Sequence, residues 1–220
     1  MKNDLETPLD SGEHRALRDQ MIEQQLRPRG IEDEAVLEAM ARVPRQLFVP
    51  VELRAMAYAD GPLPIGEDQT ISQPYIVAVM SEALQLKPGQ RVLEIGTGCG
   101  YQTAVLAEMG LKVYTIEVLP GLADEAKSRL RSIGYGDVEF RTGNGRHGWL
   151  EEAPFDGIIV TAAPVAVPNV FLDQLAPEGR LVIPVGRWSQ ELRVYRKDRD
   201  GCIERQSLFP VRFVPLVKTP

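Results

Sequence analysis

The sequence predicts an α/β protein built on a doubly wound, mostly parallel sheet, with a helical extension at its N-terminal end and antiparallel edge strands at its C-terminal end. Three observations predict it. Apolar runs at about 91–95, 112–117, 137–141, 155–160 and 180–185 alternate with helical periodicity at about 101–109, 121–133 and 168–175. The first run flows into Gly96-Thr-Gly98-Cys-Gly100 and the second ends on Glu117, 17 residues beyond the last of those glycines. Residues 192–197 and 203–216 alternate without an intervening helix, which suits antiparallel strands added at a sheet edge.

Taken in order, residues 1–12 are polar and are expected to be disordered, as free termini usually are. A single domain then spans 13–220: a helical extension and loop over 13–70, a ligand-binding core over 71–190, and edge strands with a substrate segment over 191–220. Leu17, Met21, Ile22 and Leu26 share one face of a helix over 13–26 that Pro28-Arg-Gly30 ends, and Val36, Ala39, Met40 and Val43 line a second over 32–42. Prolines at 44, 50, 62 and 64 and glycines at 61 and 66 make the next stretch, to Thr70, an irregular loop. Loops of that length in a compact domain are more often functional than not. A helix over 75–84 follows Thr70-Ile-Ser-Gln-Pro74, and the Ser72 hydroxyl is placed to cap its backbone donors. Leu119-Pro120 separates Glu117 from its helix, and Pro177-Glu-Gly179 turns the chain into the fifth strand.

Composition excludes several classes. The 220-residue chain carries a formal charge of -6, which argues against a nucleic-acid partner. Arg15, Arg18, Arg27 and Arg29 are interleaved with Asp19 and Glu23, as on a solvated helix face. Two cysteines, Cys99 and Cys202, fit neither a zinc site nor a disulfide framework. The polar, acidic N-terminus does not resemble a signal peptide, and no run approaches the roughly 20 apolar residues of a membrane span. The expectation is a cytoplasmic monomer with no metal, membrane or nucleic-acid partner.

The glycine run defines the ligand class. In the dinucleotide fingerprint the third glycine stands three residues after the second, whereas Gly100 comes one residue early. Glu94, two residues before Gly96, is expected to place a carboxylate at the loop mouth, repelling a pyrophosphate and welcoming a cationic amino acid or sulfonium. The loop Gly96, Thr97, Gly98 and Gly100 therefore favours S-adenosylmethionine over NAD, and Glu117 is placed to accept from ribose hydroxyls. Asn144 and Gly145 follow the third strand, where an adenine ring would lie, although Asn-Gly is equally a turn pair. Thr161-Ala-Ala-Pro164 offers small residues for a ligand against the backbone. No Walker loop, Gly-x-Ser-x-Gly elbow or His-Glu-x-x-His occurs.

These segments together resemble the protein L-isoaspartate O-methyltransferase family, from about Met21 to Lys218. The resemblance rests on Val43-Pro-Arg45 with Phe48-Val-Pro50, Leu63-Pro-Ile-Gly66, Thr70-Ile-Ser-Gln-Pro74, Val92-Leu-Glu-Ile-Gly-Thr-Gly98, Ala153-Pro-Phe-Asp156 and Val211-Arg-Phe-Val-Pro-Leu216. It implies a Rossmann-like S-adenosylmethionine-dependent methyltransferase fold. It also implies methyl transfer to the free α-carboxylate of L-isoaspartyl residues in damaged peptides and proteins, with S-adenosyl-L-homocysteine as product. Ser72 becomes the residue that orients the acceptor carboxylate, Ile71 and Gln73 lie beside the methyl donor, and Val214, Pro215 and Leu216 line the peptide cleft.

Two departures stand out: Asn144 replaces the acid of the family's usual Gly-Asp-Gly, and Cys99 stands where serine is common. The rival readings are a same-family carboxyl methyltransferase with another peptide acceptor, a non-catalytic S-adenosylmethionine-binding module, and, more remotely, an NAD oxidoreductase.

Overall fold

The computed structural model describes residues 10–217. Most of the expected disordered segment lies outside that range, but its last three residues are ordered. Ser11 caps helix α1 (Gly12–Met21) by accepting from the His14 amide, and Asp10 pairs with the buried Arg18 at 2.7 Å. The chain then winds through a π turn (Ile22–Leu26) and a 3-10 turn (Arg27–Arg29), ending at Gly30 in the left-handed region. Helix α2 (Glu34–Arg42) starts on Asp33, whose side chain accepts from the Ala35 amide, and packs on the helices that cover the sheet.

The expected irregular loop contains two 3-10 segments (Arg45–Phe48 and Val51–Met56) and a hairpin of β1 (Leu63–Gly66) with β2 (Gln69–Ile71). Its turn residues Glu67 and Asp68 both hold positive φ, 51° and 54°. Such turns normally announce themselves by Asn-Gly or Asp-Gly, and that signal is missing here. Helix α3 (Pro74–Leu84) opens with proline, whose missing amide costs nothing at a first helical position.

The core follows as β3 (Arg91–Ile95), α4 (Tyr101–Glu108), β4 (Lys112–Glu117), α5 (Pro120–Ser132), β5 (Glu139–Thr142), β6 (Phe155–Val160), α6 (Asn169–Asp173), β7 (Leu175–Val185), β8 (Gln190–Lys197) and β9 (Ile203–Val211). The seven strands pair in the order β5-β4-β3-β6-β7-β8-β9. All pairings up to β7 are parallel, and β7-β8-β9 are antiparallel. The expected doubly wound sheet with antiparallel edge strands is therefore present. Two boundaries move. Helix α6 has only five residues, and β7 begins at Leu175 and runs through Pro177-Glu-Gly179, with Glu178 at φ 64° and a register shift opposite Phe155/Gly157.

The central strands are apolar on both faces, as strands covered by helices must be: Val92, Leu93, Ile158, Ile159, Leu181 and Val182 are completely buried. Each such side chain contributes about 1.5–3 kcal/mol of burial. The strand order reverses between β3 and β6, and ligands of this architecture bind at the carboxyl ends of strands at that reversal. No helix among the described residues is long and apolar enough to cross a membrane.

Candidate active site

A cleft opens at the reversal point, walled by the loop after β3, the ends of β4 and β6, the segment after β2 and the C-terminal tail. Gly96 (φ 99°) follows β3 and packs against Thr161, the residue after β6. A Cβ there would stand 2.4 Å from the Thr161 hydroxyl oxygen, which is shared between the carbonyls of Gly96 (2.6 Å) and Ile95 (3.1 Å). Gly98 and Thr97 line the cleft, and the Gly98 amide donates to Glu117 Oε2 at 2.8 Å. Gly100 has a different task from the expected one. It caps α4 at φ 90°, and a Cβ would meet Leu130 of α5 at 2.9 Å, so it permits helix packing and does not line the cleft.

Glu117 is nearly buried and lies in the cleft wall. Its Oε1 accepts from the amides of Val118 (2.9 Å) and Leu119 (3.1 Å), and its Oε2 from Gly98. Three of the roughly four acceptor positions of a carboxylate are thus filled by main chain, which fixes the acid and leaves Oε2 able to accept a further donor such as a ribose hydroxyl.

Glu94 contradicts the expectation of a carboxylate at the loop mouth. It sits inside β3 between β4 and β6, 0 % exposed, and it does not line the cleft. Its Oε2 accepts from Thr103 (2.5 Å) and Thr115 (2.7 Å), Thr115 also meets Thr97 at 2.6 Å, and Oε1 has no partner among the described residues. Burial pushes this carboxyl up to about 8, against the pull of the Thr103 and Thr115 hydroxyls and with a further push from Glu117. Position in the strand, with α4 above it, explains the error: proximity to a loop in sequence does not decide which face a strand residue takes.

On the acceptor side, Ile71 is buried in the cleft wall and Ser72 lines both this cleft and an adjoining groove bounded by Pro210 to Val214. The capping role expected for Ser72 is not what the structure has. Gln73 is the cap residue of α3 and gives no side-chain capping bond, while the Ser72 hydroxyl has no hydrogen bond among the described residues. Gln73 turns away from the cofactor cleft, donating to Asp60 Oδ1 at 2.7 Å and lining the groove instead. Val214, Pro215 and Leu216 do line the cleft. They are stitched to the end of β6, with Ala163 donating to Val214 O at 2.8 Å and Leu216 to Ala163 O at 2.9 Å.

Gly145 forms part of the cleft floor, where a Cβ would come within 2.6 Å of Ile95 Cγ2. Asn144 does not face it: its side chain accepts from the Arg146 amide at 3.0 Å, the turn role that local sequence left open. Cys99 is buried in the wall, and burial raises its thiol above the ordinary range. Tyr101, Gln102, Val118 and Leu119 also line the cleft and escaped the sequence reading. Their only signal is adjacency to the glycine loop and to Glu117. Arg45 escaped it as well; it lies behind the wall, donating to Ser72 O at 2.7 Å.

The family model for protein-L-isoaspartate(D-aspartate) O-methyltransferase matches residues 16–220. A protein-L-isoaspartate O-methyltransferase of Gloeobacter violaceus is 56% identical over 199 residues, covering 90% of this chain and 97% of the relative. One from Methanoculleus marisnigri is 53% identical over 201 residues, covering 91% of each. A solved protein-L-isoaspartate O-methyltransferase superposes with a TM-score of 0.81 at 28% identity, over 90% of this chain and 65% of that one. A Plasmodium falciparum structure carrying the same name, in complex with S-adenosyl-L-homocysteine, gives 0.79 at 26% identity, over 94% and 99%.

Proposed function

The chain belongs to the protein-L-isoaspartate(D-aspartate) O-methyltransferase family, and from that premise we propose that it transfers the methyl group of S-adenosylmethionine to the free α-carboxylate of L-isoaspartyl residues in damaged peptides and proteins. The observation that carries this reading is the placement of Ser72, whose unengaged hydroxyl stands where the cofactor cleft meets the peptide groove.

The cleft fits the cofactor. Glu117, pinned by three amides with one acceptor position of Oε2 left over, suits a ribose hydroxyl, and the floor at Gly145, which a Cβ would fill, suits a flat base. Thr97, Gly98 and Thr161 would flank the amino-acid portion. When bound, the cofactor supplies an electrophilic methyl carbon on a sulfonium.

The chain's own work is alignment. An acceptor α-carboxylate, with an ordinary pKa near roughly 3.5, is already ionised at neutral pH and needs no base. Ser72 donates a hydrogen bond that aims one oxygen, and Ile71 with Val214 to Leu216 excludes water around it. The main-chain ties of the 214–216 segment leave recognition largely to backbone and shape, which tolerates varied sequence around the damaged residue. The resulting ester collapses without the enzyme to a succinimide that reopens partly to aspartate. The charge of -6 supports action on peptides and not on nucleic acid.

The test is methyl transfer from a labelled donor to an isoaspartyl peptide and to its normal aspartyl twin. Labelling confined to the isoaspartyl peptide is expected. Equal or absent labelling of the two refutes the reading.

A further inference from the structure

Arg45 is the first residue of the 3-10 turn after Pro44, and it is completely buried. Its Nε donates to Ala57 O at 2.7 Å, its Nη2 donates to Ser72 O at 2.7 Å, and its guanidinium carbon lies 4.7 Å from the centre of the Tyr101 ring. Nη1 has no acceptor at hydrogen-bonding geometry among the described residues. No acid pairs with it there either. The contrast is Arg18, also buried but held by both oxygens of Asp10 at 2.7 and 2.8 Å.

An unpaired buried charge is costly to a fold. Burial pulls the Arg45 guanidinium down from its ordinary value, yet arginine does not give up its proton inside proteins. The fold therefore retains a cation one layer behind the wall of the acceptor cleft, touching two residues of that wall, Ser72 and Tyr101. No acid among the described residues balances this charge.

We propose that Arg45 is a positioning residue for the acceptor: it clamps the main chain of Ser72 and presents a fixed positive charge to the incoming α-carboxylate. This rests on the methyltransferase reading of the site.

The chemistry dictates where the effect falls. A bond forms between carboxylate oxygen and methyl carbon while the carbon–sulfur bond breaks, its electron pair going to sulfur, and no proton moves. Opposite charges on acceptor and donor are cancelled as the reaction proceeds. A cation bonded directly to the carboxylate would hold the ground state more tightly than the transition state and slow the transfer. A cation set back behind Ser72 favours capture of the acid, leaves its oxygen reactive, and loses its hold on the neutral ester product.

Arg45→Gln removes the charge and keeps a donor at the place of Nε for the Ala57 carbonyl. Expected is a KM for the isoaspartyl peptide raised about tenfold, with kcat changed little and S-adenosyl-L-homocysteine binding unchanged. An otherwise identical peptide carrying an α-carboxamide, measured as an inhibitor, should bind wild type and variant alike. Equal weakening of both peptides, or an unchanged KM, overturns the proposal in favour of a scaffold role.

Arg45→Lys keeps the charge and serves if the glutamine variant does not fold. The titratable groups around it are Tyr101, Cys99 and Tyr58. A lysine buried there has a lowered pKa, so its KM should match wild type at low pH and rise with pH while the wild-type KM stays flat. Parallel pH profiles for the two proteins contradict the proposal. A wild-type protein that methylates no isoaspartyl peptide defeats the functional reading itself, whereas failure confined to the variants defeats only this inference.

Discussion

The amide of Gly98 donates to Glu117 Oε2 at 2.8 Å, tying the loop after the first core strand to the acid that ends the second. Loop and acid are one unit, so cofactor affinity and loop geometry depend on the same carboxylate. Glu117→Gln replaces an acceptor-only group with one that turns an NH2 toward main-chain donors. It should weaken S-adenosyl-L-homocysteine binding by about 2–3 kcal/mol, roughly 30- to 150-fold, measured by calorimetry. Unchanged affinity would mean that the acid serves only the loop.

Gly145→Ala tests the cleft floor. The added methyl would stand 2.6 Å from Ile95 Cγ2, beneath the place assigned to the base. The expected result is more than about a tenfold loss of cofactor affinity with a destabilisation of about 1–3 kcal/mol. Retained affinity would move the base elsewhere.

The outline of the fold was legible because its strands are continuous apolar runs, such as Val92 to Ile95, punctuated by glycines and prolines. The hairpin at Glu67-Asp68 was hidden because its turn lacks the residues that favour positive φ. Of the site, Thr97, Gly98, Glu117, Thr161 and Leu216 were found from spacing or resemblance and do converge on the cleft. Glu94 and Gly100 were misplaced because a linear motif does not say which members meet a ligand and which meet the core. Arg45 was invisible for the converse reason: burial without a counter-charge is a property of three dimensions.

Asn144→Asp restores the acid usual in the family. The carboxylate can keep the bond from the Arg146 amide that Asn144 accepts at 3.0 Å and can accept more strongly from a neighbouring donor. Because this side chain does not face the cleft, cofactor binding should change by less than about tenfold in a calorimetric titration. A large loss would show that the amide nitrogen is needed at this position.

Glu94 makes stability depend on pH. Its folded-state pKa of about 8 stands above the ordinary 4.5, so between those values the folded state holds more proton than the unfolded one. Stability therefore falls as pH rises from about 4.5 to about 8 and levels off above, with a slope of at most about 1.4 kcal/mol per pH unit from this group. Glu94→Gln keeps an acceptor for Thr103 and Thr115 and removes the titration. Denaturant unfolding across that range should give a flatter curve for the variant and a relative gain above pH 8. Parallel curves for the two proteins would show that Glu94 is not the titrating group.

Ser72→Ala separates acceptor alignment from cofactor binding. Removing a hydrogen bond to a charged acceptor should lower kcat/KM for the isoaspartyl peptide by about 1.5–3 kcal/mol, with S-adenosyl-L-homocysteine affinity unaffected. A loss of cofactor affinity would assign the hydroxyl to the other half of the cleft.

The most direct measurement of the central claim follows the substrate to the end of its path. The wild-type protein is incubated with an isoaspartyl peptide and S-adenosylmethionine, and the products are separated by chromatography and identified by mass. The account predicts a transient methyl ester on the isoaspartyl α-carboxylate, then a succinimide, then accumulation of the normal aspartyl peptide. Persistence of the isoaspartyl peptide, or a methyl group found on a different carboxylate, would contradict it.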